Sequence, residues 1–124
     1  MILEAGLCFA LVSYREARGE PVSAQIATMQ ILKNRAKKRK SGVCKELAKK
    51  RQFAWTSKYK IEPPKTVGRM DKRAWFLSRQ LSKSLEKVNV KGIKPNMVYF
   101  NTLALGKRYR TKTKPVKLGG LLFY

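Results

Sequence analysis

The sequence predicts an α+β fold: a mostly helical single domain over residues 1–124 with a small C-terminal β element. Three observations carry this. Apolar residues recur at spacings of three and four through the first 90 residues, as helices require. Glycine and proline punctuate that pattern where helices stop and start. The last third instead carries short aromatic runs, "NMVYFN" and "GGLLFY", of the kind that forms strands.

Taken in order, the apolar run "MILEAGLCFALVSY" predicts a first helix over residues 2–17, ending near Gly19. It has no early Lys or Arg, carries Glu4 inside the apolar stretch and runs directly into "REARGEP", so it reads as the domain's first helix and not as a signal peptide. Pro21 suits a helix start. Val22, Ile26, Met29, Leu32 and Ala36 then define a second helix to about Lys38. A short apolar segment and "RQFAWTSKY" follow, closed by "EPP". Asp71 is the expected N-cap of a third, strongly amphipathic helix whose apolar face is Ala74, Leu77, Leu81, Leu85 and Val88, stopping at "NVKG". A basic loop, "GKRYRTKTKP", separates the two expected strands.

Composition narrows the function. The chain has 29 Lys and Arg against 7 Asp and Glu, a net charge of +22, so its surroundings are anionic. The run "KNRAKKRKSG" is of the phosphate-binding kind, which keeps a basic nucleic-acid-binding protein open as a reading. The other cations are scattered from residue 45 to 117, which fits attraction to a polyanionic surface better than groove reading. No apolar stretch reaches the ~20 residues of a membrane span. With no His at all, a zinc site and a His general base are excluded, and no metal or cofactor is implied. Cys8 and Cys44 are expected to be two buried thiols and not a disulfide.

Against that charge, two of the scarce acids, Glu16 and Glu20, stand four residues apart directly after the first apolar run. A helix ending between them, at Gly19 and Pro21, leaves Glu16 on the last turn against the core. A carboxyl held partly out of water keeps its proton to higher pH, as a general acid must. Salt-linked surface glutamates are nevertheless commoner than catalytic ones, and spacing alone leaves both readings open.

The stretch "YREARGEP", followed by "QIATMQILKNR", resembles the opening motif of the cell-wall hydrolase family typified by the catalytic domain of spore cortex-lytic enzymes. The resemblance runs through Tyr14, Glu16, Ala17, Arg18, Gly19, Glu20, Pro21, Asn34 and Arg35, continues in "VCKEL" and "RQFAW", and is weak in "VYFN" and "GGLLFY". It implies a domain lysozyme-like in character that cuts peptidoglycan between N-acetylmuramic acid and N-acetylglucosamine, with Glu16 as catalytic acid. Where the family often has a His near its C-terminal aromatic pair, this chain has Leu121. A single Glu suffices for a lytic transglycosylase; a muramidase would need a second carboxylate, for which Glu20 is the nearest choice. Glu20, Asn34, Gln52, Trp55, Tyr59, Tyr99 and Asn101 are the candidate substrate-binding residues, with core packing the competing role for the aromatics. A short, very basic single domain without a signal peptide further suggests a bacteriophage endolysin, a monomer made in the host cytoplasm and acting on the wall from the periplasm. Its expected partners are peptidoglycan and the anionic cell envelope.

Overall fold

In a computed structural model, residues 4–49, 53–102 and 114–124 are described. The candidate Gln52 and most of the expected basic loop lie outside them. Four helices, α1 (Ala5–Ala17), α2 (Val22–Lys38), α3 (Val43–Leu47) and α4 (Gly68–Lys83), precede three short strands, β1 (Phe100–Thr102), β2 (Val116–Leu118) and β3 (Leu121–Phe123). Short 3-10 turns cover Ala54–Ser57 and Leu85–Lys87.

The apolar run at the N-terminus forms the central helix. Cys8, Leu11, Val12 and Tyr14 are buried on its different sides because α2, α3 and α4 all pack on it. It ends at Gly19, whose φ of +85° turns the chain at little steric cost. Pro21 then opens α2, its carbonyl accepting the N–H groups of Ala24 and Gln25 at 2.9 and 3.1 Å. The Gln25 side-chain amide donates to the Glu20 carbonyl at 2.8 Å and closes the corner.

Two apolar clusters result. One joins Leu11, Val12, Met29, Leu32, Leu47 and Phe53 between α1, α2 and α3. The other packs Ala17, Ala24, Ala27 and Ile31 against Met97, Leu121 and Phe123 of the β region. The sheet is antiparallel in the order β1-β3-β2, with Phe100 and Val116 both opposite Phe123. Phe100 lies against both clusters and joins them.

Three expectations need correction. Cys8 and Cys44 form a disulfide, with Cα atoms 5.4 Å apart; α3 folds back onto α1 and brings together two thiols that sequence spacing could not pair. The last helix begins at Gly68, with Val67 at the N-cap, so Asp71 lies in its first turn and not at its cap. Its Oδ2 still serves the helix start, accepting the Val67 N–H at 2.9 Å. The same helix stops at Lys83, short of the expected "NVKG", and of its expected face only Leu77 is exposed: Leu85 lies in the core, Leu81 and Val88 pack on it, and Trp75 joins them. Small residues stand at the α1–α4 crossing, where Gly6 faces Ser82. Strand β2 was not anticipated.

The disulfide closes a separation of 36 residues, for which restriction of the unfolded chain is worth about 4 kcal/mol. Reduction, or replacement of both cysteines by Ala, is expected to lower Tm by more than about 10 °C. An unchanged Tm in reductant would show that the bond contributes nothing to the fold.

Candidate active site

Glu16 sits on the last turn of α1, half-buried. Burial pushes its carboxyl above the ordinary glutamate range, opposed by the Trp55 indole N–H and by the more distant charge of Arg35. The Trp55 N–H is buried and makes no full hydrogen bond among the described residues, so it faces Glu16 without being consumed by it.

The neighbouring α1 residue, Arg15, is enclosed by aromatic rings, with its guanidinium 4.1 Å from the centre of Tyr59, 5.4 Å from Tyr14 and 5.8 Å from Trp55. Arg35 enters from α2. Its Nε donates to the Val98 carbonyl, and its guanidinium lies 5.3 Å from Phe53 and 5.7 Å from Tyr99. Burial lowers the proton affinity of Arg35, and the charges of Glu46 and Glu16 resist that. Glu16, Trp55, Tyr59 and Tyr99 are thereby linked through two arginines. Asn101 lies on β1 with its side-chain oxygen buried and unbonded among the described residues.

Glu20 and Asn34 each bond a distant turn or loop. Glu20 Oε2 accepts the Gly120 N–H at 2.8 Å. A Cβ on Gly119 would stand 2.3 Å from that carboxylate oxygen, and one on Gly120 would be 2.8 Å from its partner oxygen. The double glycine therefore exists to let the β2–β3 turn seat on Glu20 and Pro21. Asn34 donates both to Met97 at 2.8 Å and to Lys94 at 3.1 Å, fixing the chain that leads into β1. Its amide serves that loop and makes no bond to Glu16.

All seven acidic residues lie in the described regions. Glu46 is fully buried against Arg39 at 3.3 Å and Lys49 at 3.9 Å. Asp71 accepts from the Tyr14 hydroxyl and from Arg18, which hold it below the usual carboxylate range. Glu86 is exposed beside Lys33. A groove of about 690 Å³ opens at the Tyr14–Arg18–Asp71 network, lined also by Glu20, Gln25, Met70, Arg73 and Leu77, but Glu16 is not among its walls.

The roles of Arg15, Arg35 and Asp71 were missed in the sequence. Arg35 stood in the "NR" pair without a function, and Asp71 is 57 residues from the tyrosine it binds, beyond any local signal. No protein-family model, curated protein or solved structure matches this chain.

The raised Glu16 pKa fixes a sign. The folded state holds this proton more tightly than the unfolded chain, so the stability it contributes is complete below the unfolded value near ~4.3 and is lost as pH rises through the folded value. Glu16→Gln is therefore expected to melt above wild type at pH 7, with the gap closing as pH falls below about 4. A variant less stable than wild type at pH 7 would mean that the ionised carboxylate is a structural partner of Arg35.

Proposed function

We propose that this protein cleaves the glycan strand of peptidoglycan between N-acetylmuramic acid and N-acetylglucosamine, as a lytic transglycosylase with Glu16 the single catalytic residue. The observation that carries the proposal is the contrast between two carboxylates four residues apart. Glu16 is half-buried with its proton affinity raised, whereas Glu20 is engaged by the Gly120 N–H.

In this reading protonated Glu16 gives its proton to the glycosidic oxygen, and the bond from that oxygen to muramyl C1 breaks. The electron deficiency left on C1 is met by the muramyl C6 hydroxyl. Glu16, now a carboxylate, takes the hydroxyl proton as the O6–C1 bond forms, so the enzyme ends as it began and no water is consumed. Inverting hydrolysis needs a second carboxylate ~6.5–9.5 Å away to activate water, and retaining hydrolysis needs one at ~5–5.5 Å as nucleophile. With Glu20 held by the hairpin, Glu46 by Arg39 and Asp71 by Arg18, the one-acid route asks least of this chain. Tyr59, Trp55 and Tyr99 supply flat apolar rings of the kind sugar faces stack on.

We further infer an endolysin role in host lysis. The +22 charge suits approach to an anionic envelope. The Cys8–Cys44 bond suits action in an oxidising compartment such as the periplasm. The nucleic-acid reading draws on the same charge but gives a half-buried acid no task.

Solubilisation of purified peptidoglycan tests the assignment. Glu16→Gln is expected to abolish it while the circular dichroism spectrum is unchanged, because the amide is nearly isosteric but has no acidic proton to give. Glu20→Ala is expected to retain cleavage per folded molecule and to lose about 1–3 kcal/mol of stability. Near-wild-type cleavage by Glu16→Gln would overturn the proposal.

A further inference from the structure

The exposed large apolar side chains are concentrated on one element. Val67 is 83 % exposed, Met70 85 % and Phe76 64 %, and Leu77 beside them is also open. All four lie on α4 or its N-cap. Arg69, Lys72 and Arg73 are exposed among them, and Arg69, Lys72, Arg73 and Phe76 border one shallow depression. The helix's one acid, Asp71, is bonded to Tyr14 and Arg18; with Glu20 it borders the groove on the Met70 side, whereas the depression around Phe76 is lined by cations and no acid. Surface helices of soluble domains carry polar residues on this side. Exposed Phe and Met beside Lys and Arg are instead the residue types with which helices bind a membrane interface, the apolar ones entering it and the cations meeting anionic lipid.

We propose that the outer face of α4 docks on the surface of an anionic phospholipid bilayer, with Phe76 and Met70 entering the headgroup boundary and Arg69, Lys72 and Arg73 meeting lipid phosphates. The charge of the face selects this occupant. A second copy would bring an equally basic face against it, and at +22 per chain the two repel. A duplex nucleic acid would satisfy the cations but has no use for Met70 and Phe76. Docking uses none of the residues around Glu16, so it stands or falls separately from glycan cleavage.

The probe is a vesicle of phosphatidylethanolamine and phosphatidylglycerol, compared with one of phosphatidylcholine alone, in a flotation assay. Wild type and Glu16→Gln are expected to float equally with the anionic vesicles and to leave the neutral ones. Part of the binding should survive about 0.5 M salt, where purely ionic attraction is screened. The double variant Phe76→Ser, Met70→Ser, with both positions exposed, is expected to keep its fold and its peptidoglycan cleavage and to bind anionic vesicles at least about tenfold more weakly. A Phe76→Trp variant gives a second readout, with extra fluorescence quenched by brominated lipid. Wild-type binding by the double variant, no quenching, equal binding to neutral vesicles, or displacement of all binding by DNA would overturn the proposal.

Discussion

A hydrogen bond across 100 residues of sequence organises this molecule: the Gly120 N–H donates to the carboxylate of Glu20. It seats the β2–β3 turn on the corner between α1 and α2, in a space where neither glycine could carry a methyl group. From that seat β3 runs back along the helices and delivers Leu121 and Phe123 into the second cluster. Tyr124 then pairs with Tyr99 through both backbone groups, at 2.8 and 2.9 Å, which extends the ladder to the segment held by Asn34 and Arg35. The same bond ties to the β2–β3 turn the acid nearest Glu16 in sequence.

Glu16 carries the opposite condition. Its surroundings are apolar enough to disfavour the charge; Arg15 lies against aromatic rings and Arg35 against Val98, Phe53 and Tyr99, each keeping one buried guanidinium nitrogen without a hydrogen bond among the described residues. A carboxyl paired directly with either guanidinium would stay ionised and have no proton to donate at neutral pH. Burial makes Glu16 hold its proton more tightly than an exposed glutamate, at a cost in stability once it ionises.

Much of the helical frame was legible because it rests on local rules. Gly19 and Pro21 mark the α1–α2 corner through backbone geometry alone, and the three-and-four spacing from Val22 to Ala36 needs no tertiary information. The errors arose where distant segments meet. The amphipathic period of α4 was right and Leu81, Leu85 and Val88 face the core as expected, but the helix itself stops at Lys83 and Leu77 is left exposed. The cysteine pair depended on the fold-back of α3. At the site, Glu16 stood out as an acid ending an apolar helix in a chain poor in acids. The partners of Glu20 and Asn34, on the β turn and the loop before β1, lie too far along the chain to be read from local sequence.

The central claim is that one carboxylate does the work of both acid and base. Digestion of purified peptidoglycan in ¹⁸O-labelled water, followed by mass spectrometry of the released muropeptides, tests it most directly. Intramolecular attack predicts unlabelled 1,6-anhydro-muramic ends, lighter by one water than a hydrolytic product. Reducing ends carrying the label at C1 would contradict the account and require a second group to activate water.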